Sequence, residues 1–132
     1  MYIAPLGNET VQFDLSDQIY AAMAAQLPRS LGLSQAGERA ADAIVRGTVT
    51  RYEDVAQNYR AGQGNVDVLQ HQVQITLSIQ IIDVRQSQIL YEETAVSGRG
   101  VYQPDTQSEE AARTEAINVL IQQIINGAQS QW

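Results

Sequence analysis

His71 is the single histidine of the chain, and cysteine is absent. One histidine without cysteine builds a zinc site only with several carboxylates, and none lies near it in sequence. No G-x-S-x-G elbow accompanies it, so a hydrolase built on His71 lacks the motif of a triad nucleophile. Beside Gln70 and Gln72 it reads as a solvent-exposed strand histidine. Two carboxylate pairs, Glu92-Glu93 and Glu109-Glu110, are adjacent. Neighbouring strand residues point to opposite faces, so Glu92 and Glu93 do not form an acid/base pair. Glu109 and Glu110 open a helix, where negative charge is stabilising. Gly62-Gln63-Gly64 lacks the lysine and the strand–helix setting of a phosphate loop. No catalytic residue, metal or cofactor follows from these residues, and the reading is of a non-catalytic protein.

Arg46, Arg51, Arg60, Arg85 and Arg99 all fall on or beside the predicted strands, and every basic residue is Arg. Guanidinium forks suit phosphate and carboxylate groups, but scattered surface arginines are ordinary solvated side chains. Lys plus Arg total 8 against 15 Asp plus Glu, a net charge of −7. A duplex-binding protein carries the opposite sign, so nucleic acid is disfavoured as a partner.

The elements that position these residues announce themselves by period. From Gln72 to Ile81 polar and apolar residues alternate without a break. Val73, Ile75, Leu77, Ile79 and Ile81 share one face; Gln72, Gln74, Thr76, Ser78 and Gln80 share the other. This is a strand with one dry and one wet side. Residues 43–55 predict a second strand, with Val45 and Val49 on one face and Arg46, Thr48, Thr50 and Tyr52 on the other. Residues 57–65, with Gly62, Gly64 and Asn65, read as a hairpin loop. Asp83 to Gln88 is a polar turn. Residues 89–101 predict a third strand, with Gly98 and Gly100 weakening or bulging its end.

Tyr2 to Pro5 predicts an opening strand, followed by the turn residues Gly7-Asn8-Glu9-Thr10. Leu15, Ile19, Met23 and Leu27 recur every four residues and predict a helix from about Asp14 that Pro28 ends. Leu31-Gly32-Leu33 reads as a short edge strand. Thr106 to Glu109 fits a capping box. The helix behind it runs to about Asn126, with Gly127 as its C-terminal cap. The order is β-α-(β)-β-β-β-α, in one domain over 1–132. Two apolar helix stripes need one large apolar surface. The expected fold is therefore α+β: a two-layer sandwich with a mostly antiparallel four-stranded sheet and two helices on one face. Arg46, Thr48, Thr50, Tyr52, Gln72, Gln74 and Thr76 line the uncovered face and are the candidate partner-binding residues. A lipid-facing barrel needs about eight alternating strands or more, which this chain lacks. No apolar run reaches the roughly 20 residues of a membrane-spanning helix.

Three stretches together resemble the LptE family of lipopolysaccharide-assembly lipoproteins. YIAPLGNET is similar to that family's apolar strand followed by P-F-x-N-x-T, through Pro5, Asn8 and Thr10, with Leu6 in place of Phe. ADAIVRGTVTRYE matches the A-D-x-x-L-x-G-x-I-x-x-Y segment at Ala41, Asp42, Gly47 and Tyr52. VQITLSIQIIDVRQSQILYEE resembles the strand and turn D-x-x-T-G-x-x-L-W at Asp83, Leu90 and Tyr91, with Gln86-Ser87 replacing T-G. Curli-secretion and penicillin-binding-protein-activator lipoproteins share the early motifs. The resemblance implies a lipoprotein anchored on the periplasmic side of the outer membrane by an acylated Cys that would precede Met1. It implies that the chain plugs and helps assemble the LptD β-barrel, with lipopolysaccharide as a further ligand. The alternative it leaves is a periplasmic lipoprotein of the curli-secretion or synthase-activator type with another partner.

Overall fold

The computed structural model describes residues 1–34, 36–60 and 67–131, with side chains for all of these except 58–60 and 67–68. Five strands and two helices follow in the order β1 Tyr2–Ile3, β2 Gly7–Asn8, α1 Leu15–Ser30, β3 Ala43–Arg60, β4 Asp67–Asp83, β5 Gln88–Tyr102 and α2 Glu109–Gln131. The three long strands form the expected antiparallel meander. The sheet is nevertheless mixed and five-stranded. Both β1 and β2 pair with β3 in parallel, and the sheet order is β1-β3-β4-β5 with β2 also on β3.

The period-two pattern of β4 sets the two layers. Val73, Ile75, Leu77, Ile79 and Ile81 are at most 2% exposed. At roughly 1.5–3 kcal/mol for each buried side chain, this row anchors the fold. Leu15, Ile19, Met23 and Leu27 of α1 and Ala116, Leu120, Ile121 and Ile124 of α2 join it in one core. Both helices therefore sit on the same side of the sheet, with α2 lying chiefly over β5.

Several local readings change once the helices are in place. Pro28 does not end α1; the helix continues to Ser30. Nor is Leu31-Gly32-Leu33 a strand. The Gly32 amide donates to the Arg29 carbonyl and the Leu33 amide to the Pro28 carbonyl, with Gly32 at φ 69°. That is a Schellman cap, and a glycine is suited to its left-handed residue. The cap of α2 is Ser108 rather than Thr106: its Oγ accepts from the Ala111 amide at 3.1 Å. Gly127 is no cap, because α2 runs on to Gln131. A Cβ there would stand 2.7 Å from the ring of Tyr91, whose side chain occupies that space. Strand β3 extends to Arg60, past the expected start of the loop at Gln57. Gly62, Gly64 and Asn65 of that loop lie outside the described residues.

Gly98 and Gly100 do not weaken β5 either. They sit in the strand, facing Ile75 and Val73 across the ladder. A Cβ on Gly98 would collide with the Ala116 carbonyl and stand 2.7 Å from the Leu120 nitrogen. One on Gly100 would meet the Ala112 carbonyl in the same way. The glycines let the backbone of α2 rest directly on the strand. Gly98→Ala is therefore expected to lose roughly 3 kcal/mol or more in urea unfolding, since main-chain atoms on both sides must move apart. Ser78→Ala, on the other side of the sheet, should stay within about 0.5 kcal/mol.

Candidate functional site

The uncovered face of the sheet is built by cross-strand rows. Strand β3 carries Ile44, Arg46 and Thr48 onto it. Between Val49 and Arg51 the register with β4 shifts, so Thr50 is an extra residue and the alternation of β3 inverts beyond it. Arg51, Glu53 and Val55 then take the uncovered face, opposite Thr76, Gln74 and Gln72. Strand β5 completes the rows: Gln80 faces Glu92, Thr76 faces Ser97, Gln74 faces Arg99 and Gln72 faces Val101. An apolar row, Tyr2, Ile44, Ile82 and Ile89, closes the face at the end near the chain start.

Of the residues singled out from sequence, Arg46, Thr48, Gln72, Gln74 and Thr76 share this face. Thr50 sits in the bulge, its hydroxyl donating to the Thr76 carbonyl at 3.3 Å. Tyr52 does not belong there. It pairs with the core residue Ile75, and its hydroxyl donates to the Glu109 carboxylate at the start of α2. The inversion at Thr50 is the physical reason, and no periodicity argument along β3 alone reveals it.

The uncovered face is nearly balanced in charge. Arg46, Arg51 and Arg99 alternate with Glu53 and Glu92. Arg51 is ion-paired with Glu53, and the Gln80 amide donates to Glu92 at 2.6 Å. The Thr76 and Ser97 hydroxyls lie 3.3 Å apart. Arg46 and Arg99 face Gln80 and Gln74, six residues apart along β4, and Arg51, opposite Thr76 between them, is held by Glu53, so the three arginines form no single phosphate cradle. Such a surface offers short hydrogen-bonding side chains in a regular grid.

Two polar clusters lie on the helix side of the sheet, both missed from sequence. In the first, Arg113 donates to both Glu109 oxygens at 2.8 and 2.9 Å, stacks 5.7 Å over the Tyr52 ring and reaches Gln18 of α1. Burial, and then the bond to Glu109, push the Tyr52 hydroxyl well above its ordinary value, while Arg113 opposes them. For Arg113 itself burial acts downward, but the Glu109 carboxylate outweighs it and the net shift is upward. The cluster ties β3 to both helices.

The second cluster joins Asp54, His71 and Tyr102. His71 is in the register of Val73, not of the glutamines, and its side chain is only 25% exposed. Its Nδ1 lies 2.8 Å from Asp54, and the Tyr102 hydroxyl donates to the other Asp54 oxygen at 2.6 Å. The bond to Asp54, reinforced by burial, pushes the Tyr102 hydroxyl up to about 12. It remains a protonated donor, which suits a brace and not a nucleophile. Among the described residues no group of three or more His, Cys, Asp or Glu is placed to hold a metal ion.

The geometry of two helices behind a sheet with one bare polar face can be set against known proteins. A family described as "LptE: Lipopolysaccharide-assembly" matches residues 1–127. The chain belongs to the LptE family. No curated protein matches it. Among solved structures, a minor lipoprotein from Acinetobacter baumannii aligns with a TM-score of 0.52 at 18% identity, covering 98% of this chain and 91% of that one. Lipoprotein GNA1162 from Neisseria meningitidis aligns with a TM-score of 0.54 at 13% identity, covering 98% and 96%. A PelC dodecamer subunit from Paraburkholderia phytofirmans gives 0.54 at 15%, covering 91% and 82%. These likenesses establish a shared fold. As a member of LptE the chain is a lipopolysaccharide-assembly protein of a non-enzymatic family.

The residues that carry the LptE resemblance now have physical roles. Asn8 and Thr10 build the turn into α1: Asn8 Oδ1 accepts from the Thr10 amide and hydroxyl, and Asn8 Nδ2 donates to the Gln12 carbonyl. Asp83 Oδ1 accepts from the Arg85 and Gln86 amides, shaping the turn where T-G is replaced.

The raised Tyr102 value carries a sign. A group whose folded value lies above its unfolded one stabilises fully below the unfolded value and loses that contribution as pH rises through the folded value. The Tyr102 contribution is thus complete below about pH 10 and gone above about pH 12. Tyr102→Phe should remove the tyrosinate step near pH 12 in ultraviolet difference titration and flatten the stability profile across that window.

Proposed function

We propose that this chain is the plug and assembly subunit of an outer-membrane LptD-like β-barrel in lipopolysaccharide transport, held on the periplasmic side of that membrane by an N-terminal lipid anchor. The observation that carries the reading is the bare polar face. A soluble sheet with one side left open exposes a docking surface. This one is a charge-balanced grid of Gln, Thr and Ser, matched to the polar interior wall of a large barrel. Arg46, Thr48, Gln72, Gln74 and Thr76 meet that wall. Thr50 sets the bend between the two halves of the face, and Tyr52 works from behind by locking β3 to α2. Lipopolysaccharide is a second ligand in this reading, with no contact residue assigned to it. Family membership over nearly the whole chain supports the choice of barrel.

Co-expression with the LptD barrel of the same genome tests the reading. The wild-type chain should co-purify with the detergent-extracted barrel. Gln72→Arg with Gln74→Arg adds two charges to the bare face without touching the core, so urea stability should change by less than about 1 kcal/mol. Barrel recovery should nevertheless fall about tenfold or more, because an unpaired charge buried against a wall is costly. A wild-type chain that leaves the barrel unaccompanied would sink the proposal.

A further inference from the structure

The turn between β2 and α1 carries two apolar side chains that the fold does not use. Val11 is 86% exposed and Phe13, the only phenylalanine of the chain, is 89% exposed. Single exposed apolar residues are unremarkable. These two differ because their backbone is held from several sides. Besides the Asn8 bonds, the Gln12 amide donates to Thr10 Oγ1 and the Leu15 amide to the Gln12 carbonyl. Leu15 and Ile19, directly behind, are fully buried. The turn is thus preformed, so docking its side chains costs little ordering entropy.

Its surroundings are one-signed. Exposed Glu9, Asp14 and Asp17 flank the two side chains, and no basic residue precedes Arg29. Arg113, the cation that reaches Gln18 in the first turns of α1, is already held by Glu109. An acidic collar around an apolar tip is repelled by an anionic membrane surface. It complements an apolar protein pocket with a basic rim. The turn leaves the sheet where the Glu9 amide donates to the Val49 carbonyl, and Gln18 in the first turns of α1 then meets Arg113 in the first turns of α2. The β3–β4 hairpin runs on past that level and beyond the end of β5.

We infer that Phe13, with Val11 beside it, is a second docking element: a preformed knob that seats in an apolar, basic-rimmed pocket on the barrel partner. The inference rests on the proposed function and adds a contact on the turn between β2 and α1, outside the cross-strand rows of the bare sheet face. A single well-seated aromatic at a protein interface changes affinity about thirtyfold on removal.

The test uses the full chain co-expressed with the barrel, with a photo-crosslinking phenylalanine analogue at position 13. Expected are a crosslinked adduct with the barrel and, for Val11→Ser with Phe13→Ser, about thirtyfold weaker retention at an unchanged melting temperature. Equal retention of the double variant overturns the knob alone, as does an adduct formed with a second copy of the chain or with phospholipid. So does Phe13-dependent sedimentation with phosphatidylcholine vesicles. If the wild-type chain itself fails to co-purify, the barrel assignment falls and the knob with it. The crosslink reports on position 13 even if the double variant folds poorly.

Discussion

Strand β4 can be dry on only one side, and most of the architecture descends from that restriction. Its five inward side chains are sealed, while their neighbours are amides and hydroxyls that hydrophobic burial gives no reason to cover. Two amphipathic helices have one place to go. They crowd together behind the sheet, and room for the second is made by removing side chains from β5 at Gly98 and Gly100. The bare face is thus a by-product of core formation and, at the same time, the surface left over for a partner.

What could be read from the sequence followed the strength of each signal. The unbroken alternation of β4 and the four-residue repeat of α1 gave both layers. The limits came where one residue acts through a distant one. Nothing local to Gly98, Gly100 or Gly127 says that a helix backbone or a tyrosine ring presses on it, so all three look like weak points or caps. The Schellman cap disguised itself as Leu-Gly-Leu, three residues with strand-like alternation. The uncovered face was legible for Arg46, Thr48, Gln72, Gln74 and Thr76. Beyond Thr50 it was not, because a bulge is a relation between two strands and cannot be seen in one.

Both polar clusters on the helix side sit where the core runs out. Tyr52, Glu109 and Arg113 close the gap between β3 and the first turn of α2, and Asp54, His71 and Tyr102 brace the base of the projecting hairpin. In each a tyrosine presents its ring inward and its hydroxyl to a carboxylate, a division of labour that suits the rim of a core. Among the described residues no buried side-chain polar atom lacks a partner. The same care extends to the N-terminal turn, whose polar side chains are spent on holding the backbone while its apolar ones point outward.

The extra residue at Thr50 has a genetic consequence. Upstream of it even-numbered positions of β3 face outward, and downstream odd-numbered ones do. The distal half of the hairpin is therefore written in the opposite phase from the proximal half. Losing that one codon would only straighten the bulge: Arg51 would still face Thr76 and Tyr52 would still face Ile75, so the outer arm would keep its two faces. The bulge is thus where this strand can absorb the loss of a codon, while a one-residue slip of the pairing elsewhere exchanges its two faces.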